Sequence, residues 1–458
     1  ESIMDTIGNT PLVALGAVAA GTKSPMVAKC EFFNPGGSVK DRIGITIVDD
    51  AVRSGRLAPG GTIVEATSGN TGVGLAIVAA LRGFSTIFVM PDKMSEEKIR
   101  LLRAYGARVV ITPTAVEPED PRSYYSVAQR LAAETPNAIL ANQYHNPANP
   151  RAHYLTTGPE IWRQTGGGIT HFVCGLGTGG TISGAGRFLK ERNSSVQVVG
   201  VDPVGSVLHD VFYTGSMPEA HTYKIEGIGE DFVPSTTDFS VVDDVVQVTD
   251  GESFAMARRL VREEGIFAGG SSGSAVAGAV RYAIDRELGA DDLVVVLLPD
   301  SGNRYLSKVF DDDWIREHGF GPVDEIRGQV ADLLASRAEV EVIAVGPDEP
   351  MPDVVALMKT NDISQVPILG GDGGLLGVVT ERDLLTYLMD SDRPHDDSQP
   401  VGAIVSNSIA VVEATTSLAV LGQLFAQGNV AVVRQEDRLV AVLTKIDLID
   451  HMARRMAL

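Results

Sequence analysis

The chain has 458 residues, 44% hydrophobic and 21% charged, a globular composition and a length beyond what a single core serves. A formal net charge of −21 and a pI near 4.8 argue against nucleic acid and anionic membrane surfaces as partners. No apolar run approaches the ~18 residues of a membrane span, no basic and apolar leader opens the sequence, and Cys30 and Cys174 sit in apolar, strand-like runs without motif spacing, so a cytoplasmic protein with buried thiols is expected.

Asn34-Pro35-Gly36-Gly37 reads as a turn, because proline fixes φ and glycine takes conformations closed to other residues. Ser38 stands where a helix N-cap stands, and Val39 to Asp50 has helical apolar spacing. Lys40 therefore falls in the first turn of a helix, where the positive end of the helix dipole disfavours an ammonium. A lysine destabilised as a cation is a better nucleophile, as Schiff-base lysines require. Position alone also allows a plain surface lysine.

The first ~320 residues alternate β-branched runs with helical patterns, the signature of an α/β fold with a mainly parallel sheet. Strands are expected at 61–66, 85–90, 107–112, 169–174, 196–201 and 293–298. Helices are expected over 73–82, 95–105, 252–264, from Thr181 to about Arg192, and after Gly269. Four glycine- or hydroxyl-rich loops, at 67–72, 175–181, 269–274 and 299–302, are expected beyond strand C-termini, where open α/β sheets bind ligands. A break is expected near Phe320, followed by a short polar helix to about Arg337. The last ~120 residues repeat without a gap at an offset of 64, Asn361–Leu385 over Phe425–Ile449. Each unit reads as helix, strand, turn, strand, helix, a duplicated supersecondary unit. The expected division is 1–320, a linker 321–335, and repeats 336–396 and 397–458.

The loop from Gly175 to Thr181 carries G-x-G-x-x-G between a strand and a helix, and Asp202 ends the next strand. That is nearly the dinucleotide pattern, but its physics is only the approach of backbone N–H groups to a phosphate at a helix N-terminus. Thr67 to Gly72 suits a second small anion such as a carboxylate, although Asn70 also reads as a plain cap. Ser271 offers a neutral hydroxyl, or a cap, at another loop. No metal-ligand spacing and no G-x-S-x-G elbow appears, so no metal is expected.

These motifs resemble the fold-type II pyridoxal-phosphate family that holds the cysteine synthases and the cystathionine β-synthases. Asn34–Arg42 resembles its cofactor-lysine segment, Thr67–Thr71 its substrate loop, Gly177–Thr181 its phosphate loop and Ser271 its pyridine-nitrogen serine. The resemblance runs from Met4 to about Phe320. It implies two open, mainly parallel sheets, and the repeat resembles a pair of βαββα-type CBS motifs, a module that binds adenine nucleotides or S-adenosylmethionine. Glu226-Gly227-Ile228-Gly229-Glu230-Asp231-Phe232 and the C-terminal repeat resemble the cystathionine β-synthase branch.

The resemblance implies that Lys40 carries pyridoxal phosphate, and that L-serine loses its hydroxyl to L-homocysteine while Lys40 moves the Cα proton. Asn70 would bond the cofactor's phenolic oxygen, and Gly177, Thr178, Gly179, Gly180 and Thr181 its phosphate. Thr67, Ser68, Gly69, Thr71 and Gln143 would hold the amino acid's carboxylate. A neutral Ser271 at the pyridine nitrogen would favour β-elimination over transamination, and Glu226 would meet the amino group of homocysteine. In the module, Thr380 with Asp383 and Thr444 with Asp447 would hold a ribose. Haem is not expected, and self-association as a homodimer or homotetramer is. The competing readings are a cysteine synthase acting on O-acetylserine and sulfide, an NAD-linked dehydrogenase, and a silent nucleotide sensor.

Overall fold

The computed structural model describes every residue except 1, 68, 93, 95, 114–115, 117–119, 321–327, 336–341, 372, 390–398, 406–408, 427–428, 436–437 and 457–458. It divides into two compact units, Glu1–Ile315 and Arg316–Leu458. Among the described residues no helix is long and apolar enough to cross a membrane, and no group of three or more His, Cys, Asp or Glu could hold a metal ion.

The first unit is built on two sheets. Its strands are β1 (Leu12–Ala14), β2 (Met26–Cys30), β3 (Thr62–Ala66), β4 (Ser85–Pro91), β5 (Arg108–Thr112), β6 (Ala138–Leu140), β7 (His171–Gly175), β8 (Gln197–Pro203), β9 (Asp244–Val248) and β10 (Val294–Leu298). Six strands run in the order β1-β2-β10-β7-β8-β9, with β1 antiparallel and the rest parallel; four run β5-β4-β3-β6, all parallel. The helices are α1 (Lys40–Arg53), α2 (Asn70–Arg82), α3 (Glu96–Ala104), α4 (Tyr124–Glu134), α5 (Ala148–Leu155), α6 (Thr157–Gln164), α7 (Gly180–Arg192), α8 (Leu208–Thr214), α9 (Asp250–Glu264) and α10 (Gly270–Asp285), and α11 (Asp312–Glu317) contains the division at Ile315.

The inner strands are rich in β-branched and apolar residues because both faces of the sheets are covered; Lys29, Glu65 and Asp202 are buried polar exceptions. Val294, Val296 and Leu298 of β10 pack with Leu260 of α9 and Ala279 of α10. Val295 and Leu297 point the other way, to Ile161 of α6 and Leu189 of α7. The smaller sheet repeats the device: Ile63, Phe88 and Met90 face one core, Val64, Ile87 and Val89 the other. Each such fully buried side chain contributes about 1.5–3 kcal/mol. Cys30 and Cys174 are free and buried.

Three local expectations need correction. The N-cap of α1 is Val39, not Ser38; Ser38 Oγ only accepts a 3.3 Å bond from Lys40 N. Helix α2 starts at Asn70, three residues earlier than the apolar spacing suggests, because Gly69 at φ 131° turns the chain into it. The 269–274 loop does not follow a strand. It follows α9 and reaches the strand ends through the bridge Ala268↔Ser301 and a 3.0 Å bond from Gly269 N to Asp300 O.

The second unit holds the repeat. Helix α12 (Val330–Ala335) precedes α13 (Met351–Asn361), β11 (Gln365–Leu369), β12 (Leu375–Thr380) and α14 (Glu381–Met389). β13 (Ile409–Val412), α15 (Leu418–Ala426), β14 (Val430–Gln435), β15 (Arg438–Leu443) and α16 (Lys445–Met456) follow. Val354, Val366, Ile368 and Leu384 form the first core. The second contains Val412, Leu418, Val433 and Leu448 together with Val330 and Leu333, so part of the expected linker is a core helix of the second repeat.

Candidate active site

Lys40 is placed by a turn fastened on every side. Gly37 N donates to Asn34 O at 2.7 Å, and the Asn34 amide donates to Glu31 O and Ser38 O while accepting from Gly8 N at 2.8 Å. Gly36 N donates to Asp41 Oδ2 at 2.5 Å, and Val39 N to Pro299 O at 2.8 Å, which ties the start of α1 to the end of β10. Beneath the turn lies a buried charge network. Arg42 bonds Glu31 at 2.7 Å and Glu160 at 2.7 Å, and Lys29 bonds Glu160 at 2.9 Å. Two cations and two anions compensate one another, the condition under which such groups are buried. Gly74 of α2 lies so close that a Cβ there would be 2.5 Å from Lys40 O. This contact sets the lysine beside the loop that starts α2.

Lys40 opens into a cavity of about 560 Å³ that Asn70, Thr71, Gln143, Thr178, Glu226 and Ser271 also line. These seven residues come from six separate stretches of chain. Thr71 Oγ1 donates to Gln143 Oε1 at 2.5 Å, and the backbone N–H groups of Asn142 and Gln143 bond the buried Glu65 carboxylate at 2.6 and 3.1 Å. Asn70 Nδ2 donates to Asp300 Oδ2 at 2.9 Å, and Tyr305 OH donates to the same oxygen at 2.6 Å. Thr67 and Gly69 stand in the turn before α2, where Gly69 N donates to Thr67 Oγ1 at 3.0 Å. Ser68 lies outside the described residues. Gly177, Gly179, Gly180 and Thr181 build the β7–α7 turn behind Thr178. Thr181 Oγ1 meets His153 Nε2 at 3.3 Å.

Asn149 joins the two loops: its Nδ2 donates to Gln143 O at 2.9 Å and to Thr178 Oγ1 at 3.0 Å. Sequence reasoning missed it, since nothing in Asn146-Pro147-Ala148-Asn149 signals a position behind both loops. It also missed Lys98, Lys308 and the tyrosines 124, 125, 144 and 223, which come from surfaces that only folding brings together.

Burial holds the Lys40 amine below the ordinary lysine value, against the opposing pull of Glu230, Asp300 and Cys174. Burial also pushes Glu226 up, yet Lys98 and Lys308 together hold it below its ordinary value, each bonded to one carboxylate oxygen, Lys308 at 2.6 Å. The acidic residue of the dinucleotide pattern, Asp202, is engaged elsewhere: its Oδ2 accepts from His209 N at 2.9 Å, at the start of α8.

Two family descriptions match the sequence: "Pyridoxal-phosphate dependent enzyme" over residues 3–300, and "CBS domain" over 330–390 and 401–454. The chain belongs to the pyridoxal-phosphate dependent enzyme family. Three similar relatives are named cystathionine beta-synthase. That of Dictyostelium discoideum is 39% identical, covering 99% of this chain and 92% of the relative. That of Mus musculus is 41% identical (95% and 77%), and that of Saccharomyces cerevisiae 37% (99% and 98%). A solved structure of a hydrogen sulfide-producing enzyme from Fusobacterium nucleatum is 35% identical and superposes with a TM-score of 0.62, covering 67% of this chain and 99% of its own.

This family member is a pyridoxal-phosphate-dependent lyase with a CBS pair, and its residues fit the cofactor. Lys40 lines the cavity, and among the described residues its amine forms no salt bridge. Asn70 Oδ1 is buried with no hydrogen-bond partner among the described residues. The β7–α7 turn lies against its neighbours so closely that a Cβ on Gly180 would fall 1.8 Å from Asn149 Oδ1. In the second unit Asp383 Oδ2 accepts from Thr380 N at 2.8 Å and Thr380 Oγ1 at 2.6 Å. Asp447 does the same with Thr444, at 2.8 Å for both. Each pair thus starts the helix that follows its strand.

Proposed function

We propose that this chain is a cystathionine β-synthase, which replaces the hydroxyl of L-serine with the thiol of L-homocysteine to give cystathionine and water. The observation that carries this reading is the convergence of Lys40, the Thr71–Gln143 pair and Ser271 on one cavity, with the 226–231 segment forming a polar wall beyond them. Bound there, pyridoxal phosphate supplies a sink for the electrons left at Cα.

The chain's residues supply the rest. Lys40, held as a better nucleophile by burial, would hold the cofactor, and its amine would take the Cα proton and later return it. Asn70, fixed by Asp300, orients the ring, and Ser271 offers the pyridine nitrogen a neutral partner. Thr67, Ser68, Gly69, Thr71 and Gln143 hold the substrate carboxylate, and the 177–181 turn with its helix N-terminus holds the cofactor phosphate. Glu226 receives the amino group of homocysteine in exchange for part of its bonding to Lys98 and Lys308. A sulfide nucleophile would leave this wall without a role. Thr380 with Asp383 and Thr444 with Asp447 mark the clefts at which the CBS pair takes S-adenosylmethionine.

The absorbance spectrum of the purified protein tests the catalytic reading. A visible cofactor band that shifts with L-serine and returns with L-homocysteine, as cystathionine forms, is expected. A band reversed only by sulfide would make the chain a cysteine synthase. No band after adding pyridoxal phosphate would remove the catalytic assignment.

A further inference from the structure

Beyond Glu226 the 226–231 segment of the cavity wall carries two more carboxyls, Glu230 and Asp231. Glu230 follows Glu226 by one helical-turn length of chain, but its circumstances differ. Glu226 has both oxygens in ion pairs, whereas Glu230 forms no salt bridge among the described residues. Its backbone is fixed: Glu230 N donates to Ser206 Oγ at 3.0 Å, and Glu230 O accepts from Val207 N at 3.0 Å. Glu230 lines the cavity that Lys40 opens into, and its charge acts on the Lys40 amine. Lys40 from α1, Tyr124 and Tyr125 from α4, and Tyr144 and Tyr223 from the loops all feel its charge. Asp231 beside it and Asp202 of β8 are the other acidic groups that act on it.

The reaction needs two proton transfers at one carbon. The oxygen leaving Cβ of serine must gain a proton, because hydroxide is a poor leaving group. The sulfur arriving at the same Cβ must lose one, because the thiolate is the nucleophile. We propose that Glu230 makes both transfers, as general acid to the departing hydroxyl and then as general base to the arriving thiol. The inference rests on the β-replacement reading. The Cβ–O bond breaks with its electron pair on oxygen, which takes the Glu230 proton and leaves as water. The carboxylate then takes the thiol proton, and the sulfur pair forms the Cβ–S bond. Glu230 is protonated at the start and again at the end, so no further acid, base or oxidant is consumed. Lys40 keeps the Cα proton as its separate task.

The electrostatics agree with this assignment. Burial and Asp231 push Glu230 up to about 8, against the opposing pull of Lys40, so near neutrality the carboxyl holds the proton that it must give. The sign follows: activity limited by this acid falls as the pH rises through about 8.

Glu230→Gln is the test, since glutamine keeps the shape and transfers no proton. Turnover of L-serine with L-homocysteine should fall by about 100-fold or more, and the loss of activity above the Glu230 ionisation should vanish from the pH profile. β-Chloroalanine separates chemistry from structure, because chloride leaves without a proton: single-turnover chloride release by the variant should stay near the wild-type rate. Independently of turnover, the cofactor-free wild type should show an infrared band of a protonated carboxyl that titrates in the same range and is missing from Glu230→Gln. Equal losses with serine and β-chloroalanine, undiminished serine turnover, or no such band would each overturn the assignment. A wild-type chain that makes no cystathionine would overturn instead the reading on which it rests.

Discussion

At the scale of single residues, the site depends on glycines at positions with no room for a side chain. Gly180 shows why. A methyl group there would fall 1.8 Å from Asn149 Oδ1, and Asn149 is the side chain that bonds both Thr178 and Gln143. Gly180→Ala must therefore push Asn149 aside, and with it the contact between the β7–α7 turn and the Gln143 loop. The expected outcome is a folded protein that retains pyridoxal phosphate at least about tenfold more weakly, a loss of some 1.4 kcal/mol. Equilibrium dialysis measures it. Unchanged retention would show that Asn149 can move without disturbing the turn. The sequence made Gly180 a candidate through its motif, but the reason lies on α5, about thirty residues away in the chain.

At the scale of elements, α1 is held by the Lys29, Glu31, Arg42 and Glu160 network. Burial opposes the ionisation of Glu160, but Arg42 and Lys29 hold it down to about 2. A carboxylate depressed in the folded state stabilises it above its unfolded value of about 4.3, and that contribution is lost as the pH falls from there toward 2. Glu160→Gln should flatten this acid limb in denaturation curves. It should also cost about 3–5 kcal/mol near neutral pH, because Arg42 and Lys29 stay buried with one anion fewer. An acid limb unchanged in the variant would mean that the network does not govern acid stability. Much of this architecture was legible beforehand. The apolar runs marked β3, β4, β7, β8 and β10 to within two residues, because strands covered on both faces leave an unbroken signal. Helices α4, α5 and α6 were not foreseen: the stretch from Tyr124 to Gln164 mixes polar and apolar residues, and its order comes from packing against the sheets. The network itself was invisible, since Lys29, Glu31 and Arg42 meet Glu160 from more than a hundred residues away.

At the scale of the whole molecule, the two units carry separate cores, so each can have its own unfolding transition. That separates two questions which activity measurements mix: whether S-adenosylmethionine binds, and whether binding reaches the catalytic cavity. A ligand specific for the CBS pair at 100 times its dissociation constant stabilises the unit that holds it by about 2.7 kcal/mol. Calorimetry of the full chain should therefore show one transition moving upward with S-adenosylmethionine, and isothermal titration should register heat. Asp383→Asn and Asp447→Asn identify the cleft, because asparagine can still start the helix while removing the charge offered to a ribose. The variant at the occupied cleft should lose the shift, and the other should keep it. If the sites are coupled by about 1–3 kcal/mol, the apparent affinity for homocysteine should change between 5- and 150-fold when S-adenosylmethionine is present, and the reverse effect must be equal. A thermal shift without that change would make the module a stabiliser and not a regulator. No heat and no shift with S-adenosylmethionine or an adenine nucleotide would leave the two Asp–Thr pairs as helix caps alone.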